Sequence, residues 1–317
     1  MKDGFGRDIT YLRLSVTELC NLRCRYCMPM DGIVKKSHAD MLTEEEMVDA
    51  VRAAASLGIT KVRITGGEPL VKRNILSIVS HVAAVEGIRE TCLTTNGTLL
   101  KPLAKPLRDA GLDRINISVD SLDAGKYREI TRGGTLRDAL DGVEAALDAG
   151  FSRVKLNVVL IGGFNDTEIP AFLDLTRRQP IDVRFIELMP MVRDSGFGAD
   201  AMLPCDAVLS YAKDAEPLPP DGGVARLYRL PNAVGSIGLI SPVSKHFCAG
   251  CNRLRLTADG RLKPCLHALA EYPIKGLPYD AVVECMKQAI SAKPERHGEL
   301  SEAHQSRAGR SMNRIGG

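Results

Sequence analysis

The stretch that most constrains this chain is a loop of three cysteines directly after a strand-like segment. Cys20, Cys24 and Cys27 lie within eight residues, with three and then two residues between them. An ordinary 4Fe–4S cluster takes four thiolates, one on each iron. The next cysteine along the chain is Cys92. A cluster on this loop would therefore keep one iron without a protein thiolate, where a further ligand can bind.

Two other interpretations of this loop are a zinc site and a chance group of buried thiols. Zinc fingers combine a close pair of cysteines with a distant pair, rather than three in one short run. Only nine cysteines occur among 317 residues, so chance grouping is a weak explanation. An odd number of cysteines and no apolar segment in residues 1–8 argue against a secreted disulfide framework. We therefore expect reduced thiols and a cytoplasmic protein.

The charge pattern favours small anionic ligands. The formal net charge is +3, and no block of like charge occurs. Basic residues are not interleaved with aromatic ones, as they are in many nucleic-acid binders. No long uncharged apolar run could span a bilayer. We expect neither a nucleic acid nor a membrane as a partner.

Strand-like and helical segments alternate up to residue 190. The six predicted strands cover residues 11–16, 61–65, 91–95, 114–119, 154–160 and 183–188. Such alternation predicts parallel strands joined by right-handed helical crossovers. Six units are too few for a closed eight-stranded barrel, so we predict an α/β fold, a partial (β/α)6 TIM-like barrel that is open at one side. A doubly wound sheet is the alternative.

Polar motifs follow the predicted strands. Gly-Gly-Glu-Pro at residues 66–69 follows the second strand, and Thr-Thr-Asn-Gly at 94–97 follows the third. Catalytic groups in such folds gather at the carboxyl ends of the strands. The alternation stops after residue 190, although 235–240 could be another strand. We therefore predict a barrel of residues 1–190 and a C-terminal region of residues 191–317.

The C-terminal region carries a second group of three cysteines. Cys248 and Cys251 form a close pair, and Cys265 follows after thirteen residues. Again the set is one ligand short of a closed site. Zinc is the strongest alternative, because a C-x-x-C pair is common and His246 or His267 could complete it. Spacing alone leaves both zinc and a second iron–sulfur cluster open.

Several cations could bind an anionic substrate. Arg253 and Arg255 alternate on an extended segment beside the cysteine pair, and guanidinium groups suit phosphate oxygens. The alternative is two solvated arginines on an edge strand. Arg13, Arg63 and Lys155 lie on predicted strands that face the same mouth of the barrel. For each of these three alone, pairing with acidic residues of neighbouring units is an equally good explanation.

The pattern Cys-x-x-x-Cys-x-Tyr-Cys directly after a strand resembles the cluster loop of the radical S-adenosylmethionine (SAM) family. The resemblance implies a 4Fe–4S cluster held by Cys20, Cys24 and Cys27, with SAM on the open iron. One electron then cleaves SAM to methionine and a 5′-deoxyadenosyl radical. The cofactor supplies the difficult chemistry, and the protein positions and shields it. The family also implies a six-stranded partial barrel.

The second cysteine loop, the segment Cys-Asn-Arg-Leu-Arg-Leu-Thr-Ala-Asp-Gly and the terminal glycine pair narrow the resemblance. Together they resemble the members of this family that cyclise GTP as the first step of molybdenum cofactor biosynthesis. This implies a bond between C3′ of the ribose and C8 of the base, and a second 4Fe–4S cluster on Cys248, Cys251 and Cys265. It further implies a reducing electron donor, a cyclic pyranopterin monophosphate synthase that acts on the product, and a homodimer.

The resemblance also assigns ligand contacts. The positions that match SAM contacts are Tyr26, Gly67, Ser118 and Met189. The positions that match GTP contacts are Arg13, Arg63, Thr94, Lys155, Arg253, Leu254 and Arg255. The tail residues Gly316 and Gly317 are implied to insert into the active site. Glu68 has a separate rationale, since its carboxylate or the adjacent peptide groups can bind the SAM ammonium, although Gly-Gly and Glu-Pro are also turn sequences.

Two other functions stay open at this point. One is a radical SAM peptide maturase with an auxiliary cluster, although such enzymes usually have more than three extra cysteines near the C-terminus. The other is a non-catalytic zinc-binding module. Colour separates the second from an iron–sulfur protein, because zinc protein is colourless and iron–sulfur protein is brown.

Overall fold

One twelve-stranded sheet runs through the computed structural model, which describes residues 1–34, 36–191, 195–301, 304–306 and 308–316. The strands are β1 Tyr11–Ser15, β2 Lys61–Thr65, β3 Glu90–Thr95, β4 Arg114–Ser118, β5 Val154–Leu160, β6 Ile181–Glu187, β7 Glu216–Leu218, β8 Arg226–Arg229, β9 Ile237–Ile240, β10 Arg253–Leu256, β11 Arg261–Lys263 and β12 Tyr272–Pro273. The helices are α1 Glu44–Ser56, α2 Ile75–Ala83, α3 Ala104–Asp109, α4 Ala124–Thr131, α5 Leu136–Asp148, α6 Ile169–Arg178, α7 Tyr279–Ser291 and α8 Met312–Ile315.

The first six strands lie side by side in chain order, and every neighbouring pair among them is parallel. Helices α1 to α6 fill the connections between these strands. Because parallel strands end at the same edge of a sheet, the loops that follow β1 to β6 meet there. The predicted α/β partial barrel is confirmed.

The C-terminal region extends this sheet at both edges. Strand β10 pairs with β1 and strand β9 pairs with β6, both in parallel. Antiparallel strands then continue on each side, with β11 and β12 beyond β10 and with β8 and β7 beyond β9. Of these strands the sequence indicated β9 and the extended segment of β10. The boundary at residue 190 stays a prediction, since strands on both sides of it share one sheet.

Helix α1 illustrates how local sequence starts an element. The Thr43 hydroxyl accepts from the Glu46 N–H at 3.2 Å, and the Glu46 carboxylate accepts from the Thr43 N–H at 2.8 Å. This reciprocal cap satisfies donors that a helix start leaves unpaired. Met47 and Val51 then lie on the buried face, within the core between helices and sheet. No helix among the described residues is both long and apolar enough to cross a membrane.

Candidate active site

One cavity of about 410 Å³ lies along the inner face of the parallel strands and reaches their carboxyl ends. All six predicted metal ligands line it, namely Cys20, Cys24, Cys27, Cys248, Cys251 and Cys265. Most of the predicted ligand contacts line it as well, namely Arg13, Tyr26, Arg63, Gly67, Glu68, Thr94, Ser118, Lys155, Met189, Arg253 and Arg255. Cavities of this size commonly hold small substrates and cofactors. The fold therefore brings the two cysteine loops to one site.

The first cysteine loop is tied to the end of α4. The Arg23 N–H donates to the Thr131 carbonyl at 3.0 Å, and the Arg132 guanidinium donates back to the Arg23 carbonyl at 3.2 Å. A turn forms inside the loop, where the Cys27 N–H donates to the Cys24 carbonyl at 3.0 Å. These bonds hold the sulfur atoms at the cavity wall without using them as partners.

The thiols of the first loop lie in a buried and negatively charged environment. Burial and the neighbouring Cys27 raise the pKa of Cys24 well above its usual value. Burial and Cys20 raise the pKa of Cys27 to about 12. The Asp120 carboxylate contributes to both shifts, and it accepts a hydrogen bond from the Tyr26 hydroxyl at 2.6 Å. Three thiolates would repel one another here, so the loop suits a cationic metal centre between them.

Gly66 and Gly67 allow the end of β2 to press against the chain that enters the first loop. A Cβ on Gly66 would lie 2.4 Å from the Thr17 carbonyl oxygen, and one on Gly67 would lie 2.3 Å from that of Leu19. The Gly67 N–H donates to the Thr17 carbonyl at 2.8 Å. Contact between two backbones thus requires glycine at both positions.

Glu68 connects the ends of β2 and β3. Its carboxylate accepts from the Leu70 N–H at 3.0 Å, the Thr95 hydroxyl at 2.7 Å and the Asn96 N–H at 2.7 Å. Burial raises the pKa of Glu68 to about 7. The Asn96 amide in turn lies 4.0 Å from the Cys20 sulfur. The predicted role of Glu68 toward an ammonium group stays a prediction, and its three donors show that it also orders this wall.

The thiols of the second loop have cationic neighbours. Burial opposes ionisation of Cys248, but hydrogen bonds from His297 and the nearby Arg7 lower its pKa. Burial likewise opposes ionisation of Cys251, and the charges of Lys293 and Arg253 lower its pKa. A thiolate is the form that binds a metal. The second loop is therefore prepared for metal binding by its surroundings.

A histidine cluster borders the second loop. Ligand atoms of His246, Cys248 and His297 all lie within 4.8 Å of one another. The His267 ring lies 4.7 Å from the His297 ring, and the Nδ1 of His267 hydrogen-bonds with the Ser306 hydroxyl at 2.8 Å. Two imidazoles and a thiolate would also suit zinc. This set, however, includes only one cysteine of the second loop.

A row of arginines crosses three adjacent strands. Arg13 on β1 is in register with Arg255 on β10 and with Arg63 on β2, so the three side chains share one face of the sheet. Burial and the nearby guanidiniums lower the pKa of Arg13 to about 9. Burial raises the pKa of Tyr11, but Arg63, Arg13 and Arg253 bring it down to about 8. So much buried positive charge favours an anionic ligand.

Strand β10 has an inner position, which decides between the two interpretations of its arginines. It lies between β1 and β11, so the edge-strand alternative is wrong. Arg253 and Arg255 both line the cavity, whereas Leu254 is fully buried in the hydrophobic core and does not line it. Alternation along a strand sends every second side chain to the opposite face. A ligand contact of Leu254 is therefore limited to its backbone.

A second row of predicted contacts crosses the next three strands. Thr94 on β3 is in register with Asn116 on β4, which is in register with Lys155 on β5. The Asp221 carboxylate reaches this row from a loop, 3.3 Å from the Lys155 ammonium and 3.2 Å from the Arg184 guanidinium. Burial opposes ionisation of Asp221, but these two cations lower its pKa to about 2.

The C-terminal tail ends inside the site. The Gly316 carbonyl accepts from the Arg255 guanidinium, and the Asn313 side-chain amide donates to the Glu18 carbonyl at 2.9 Å, at the entry to the first loop. Gly316 has φ of 80°, and a Cβ there would lie 2.8 Å from a side chain of β2. The tail therefore touches both the first loop and the arginine row. The predicted position Gly317 lies outside the described residues.

Arg310 anchors this tail. Its guanidinium donates to both oxygens of Asp259, at 3.0 and 2.9 Å, and to both oxygens of Glu271, at 2.7 Å each. Two bidentate contacts fix the position and the orientation of the guanidinium plane. Arg310 therefore fixes the chain two residues before helix α8 begins at Met312.

Sequence reasoning missed several residues that line the cavity. They include Lys61, Asp120, Asn157, Arg184, Asp221, Lys293 and His297. Lys61 precedes Arg63 by two positions on β2, so strand alternation could have identified it. Lys293 and Asp221 arrive from segments with no periodic pattern, and only the folded chain places them here.

The donor sets fit two iron–sulfur clusters better than other metal centres. All six cysteines are free of disulfides, and each loop offers three thiols to the cavity. Thiolates are the usual ligands of a 4Fe–4S cluster. A set of three would leave one iron open in each case, and the cysteines of both loops line the same cavity.

Family models match most of the chain. Residues 14–176 match the radical SAM superfamily, and residues 181–299 match Molybdenum Cofactor Synthesis C. Over their full length and that of this chain, the curated "GTP 3′,8-cyclase" proteins of Alkaliphilus oremlandii and Alkaliphilus metalliredigens are 48% and 49% identical to it.

Solved structures share the fold at low sequence identity. Streptococcus suis SuiB, crystallised with S-adenosylmethionine, is 15% identical with a TM-score of 0.62, and the match covers 86% of this chain and 64% of SuiB. The anSMEcpe structure with bound AdoMet is 13% identical with a TM-score of 0.59 over 92% of this chain and 79% of that one. At such identities the likeness concerns the fold.

Proposed function

Since this chain belongs to the GTP 3′,8-cyclase family of radical SAM enzymes, we propose a division of labour between its two cysteine loops. The enzyme converts GTP to (8S)-3′,8-cyclo-7,8-dihydroguanosine 5′-triphosphate, the first step of molybdenum cofactor biosynthesis, and it uses two 4Fe–4S clusters and SAM. The observation that carries the proposal is that both loops, in different electrostatic surroundings, face one cavity. The zinc-module alternative is set aside by the family.

The first loop holds the cluster that binds SAM. Cys20, Cys24 and Cys27 are its ligands, and SAM with this cluster supplies a radical that removes hydrogen from the substrate. Around it, Tyr26, Gly67, Glu68, Ser118 and Met189 bind and orient SAM, and all five line the cavity. Asp120 keeps Tyr26 in place through the 2.6 Å hydrogen bond to its hydroxyl.

The second loop and the arginine row hold GTP. Cys248, Cys251 and Cys265 would hold the second cluster, which would offer a coordination position to the guanine base. The triphosphate lies against the cations on the inner face of the strands, because their mutual repulsion is relieved by an anion. These contacts are Arg13, Arg63, Thr94, Lys155, Arg253 and Arg255, together with the backbone of Leu254.

The tail closes the site and excludes water from the radical. Gly316 contributes through its carbonyl, which accepts from Arg255, and the proposed role includes Gly317, which lies outside the described residues. Outside the chain, the reaction needs a reducing electron donor and a cyclic pyranopterin monophosphate synthase that consumes the product. We further propose a homodimer and a cytoplasmic location.

The test is 5′-deoxyadenosine formation by anaerobic, reduced, iron-reconstituted protein with SAM, with and without each nucleoside triphosphate. We expect strong stimulation by GTP alone, because only guanine completes the second site. Cleavage without any nucleotide preference would instead favour a peptide-maturing activity. Absence of cleavage in protein that holds clusters would contradict the assignment of the first loop.

A further inference from the structure

A buried lysine connects the two parts of the second cysteine loop. Lys293 follows α7, is 3% exposed and lines the cavity. Its ammonium donates to the Arg253 carbonyl at 2.8 Å and to the Pro264 carbonyl at 2.9 Å. Arg253 follows Cys251 by two positions, and Pro264 directly precedes Cys265. One side chain therefore joins the segments that carry these two cysteines.

The ammonium is also near the Cys251 thiol, because burial raises the pKa of Cys251 and the charge of Lys293 lowers it. Within the described parts of the chain, no carboxylate forms an ion pair with Lys293, which differs in this respect from Lys263. Lys263 is equally buried, but it lies 3.2 Å from the Glu271 carboxylate. A buried cation without an acidic partner is costly unless another anion approaches it. The sulfur side of Lys293 is the place where such an anion would lie.

We propose that Lys293 is the counter-charge and the positioning residue of the second cluster. This rests on the proposed function, which places that cluster on Cys248, Cys251 and Cys265. Three thiolates leave a 4Fe–4S cluster with net negative charge, and reduction adds one more negative charge. A fixed ammonium stabilises the reduced form more than the oxidised form, so it raises the reduction potential.

The positioning part of the proposal follows from the two carbonyl bonds. They fix the spacing between the Cys251 and Cys265 segments before any metal binds. Removing the ammonium takes one hydrogen bond from each of these two carbonyls at the point where the cluster has to be assembled. Lys293 thus acts through the cluster ligands and does not itself touch the reacting atoms.

Arg7 offers a matched control. Its guanidinium donates to the Cys248 carbonyl at 2.8 Å and to the Pro294 carbonyl at 2.7 Å, so it also holds the second loop. It pairs with the Asp3 carboxylate at 2.6 Å. Replacing Arg7 alone would leave the Asp3 carboxylate without its counter-charge, so the control replaces both residues, as Arg7→Met with Asp3→Asn. Because the pair is neutral, removing both charges should leave the potential of the second cluster nearly unchanged.

The experiment uses the full chain with Cys24→Ser, in which only the second cluster is expected to assemble, after anaerobic reconstitution with iron and sulfide. Iron content and the EPR signal report assembly, and a redox titration followed by EPR gives the potential. We compare Lys293→Met, Lys293→Arg and the double variant Arg7→Met with Asp3→Asn in this background. We expect a lower potential for Lys293→Met, and a potential near that of the parent for Lys293→Arg and the double variant.

Each result decides something. If Lys293→Met holds a complete second cluster and its reduction potential is unchanged, Lys293 is not the counter-charge of that cluster. If Lys293→Met assembles no cluster but Lys293→Arg does, a positive charge is required at this position. If neither variant assembles a cluster, the counter-charge role is contradicted, and only the shape and hydrogen bonds of the lysine side chain matter. If the Cys24→Ser parent itself carries zinc or no iron at the second loop, the proposed cluster placement has failed, and this is seen before any Lys293 variant is compared.

Discussion

The two cysteine loops face one cavity but lie in opposite electrostatic surroundings. Around the first loop, burial, neighbouring thiols and Asp120 raise the pKa of Cys24 and Cys27. Around the second, cations and hydrogen-bond donors lower the pKa of Cys248 and Cys251 against the effect of burial. The rest of the chain therefore gives two sets of three cysteines, which differ in spacing, different electrostatic environments.

The difference matches the two proposed tasks. A negative environment disfavours further negative charge on a cluster and makes its reduced form a stronger electron donor, as cleavage of SAM requires. A positive environment attracts a nucleoside triphosphate and tolerates the charge of the cluster beside it. The cavity thus places a strong reductant and an anion site side by side, and the tail from Met312 to Gly316 lies between them.

The largest expected effect separates the two loops by function. Cys24→Ser should abolish 5′-deoxyadenosine formation, because the first cluster loses a ligand. Cys265→Ser should spare part of this SAM cleavage while removing cyclisation of GTP. Both products are measured by chromatography of the same anaerobic reactions. Identical behaviour of the two variants would show that the loops do not divide the work.

The next effect concerns the tail that lies between the loops. Arg310→Gln removes two bidentate contacts and should lower kcat for cyclisation about a hundredfold, because Gly316 is no longer held on Arg255. A short C-terminal tag should also impair turnover. Full cyclisation rates in both proteins would contradict the role of the tail.

Arg177→Gln is a suitable control for the Arg310 variant. Arg177 pairs with Asp174 on the exposed face of α6, at 2.8 Å and far from the cavity lining. This exposed pair is worth little stability. The control should keep its cyclisation rate, and a similar loss in both variants would point to a general effect of removing an arginine.

A smaller effect tests the electrostatic contrast directly in metal-free, reduced protein. At pH 8, iodoacetamide should alkylate Cys248 and Cys251 about tenfold or more faster than Cys24 and Cys27, because a lowered pKa gives more thiolate and thiolate is the nucleophile. For Cys27 the rate should keep rising with pH toward its pKa of about 12. Peptide mass spectrometry measures each site. Equal alkylation rates at both loops would contradict the difference in their electrostatic surroundings.

The smallest effect concerns the cationic half of the cavity. Asp221 forms ion pairs with Lys155 and Arg184, two cations that the anionic substrate would also contact. Asp221→Asn should therefore tighten GTP binding about fivefold, as expected for one partly exposed ion pair, and leave guanosine binding unchanged. Calorimetry with both ligands measures this. Weaker GTP binding by the variant would mean that Asp221 supports the site and does not compete for it.

Much of the architecture could be predicted because it depends on patterns within short segments of the sequence. Periodic strands and helices up to residue 190, the cap at Thr43 and the glycines of residues 66–67 each need only neighbouring residues to be recognised. The three-cysteine spacing identified both loops in the same way. Strand alternation also placed Arg253 and Arg255 on one side, and the structure confirms that both line the cavity.

Long-range contacts account for what the sequence did not reveal. The sequence by itself determined the alternating α/β fold and the two groups of three cysteines, since these depend on residues close together in the chain. Only the tertiary structure decided that β9 and β10 extend the sheet at its two edges, that Leu254 lies in the core, and that Lys293 joins the Arg253 and Pro264 carbonyls. Such contacts join residues far apart in sequence, and burial and charge at the point where they meet exist only after folding.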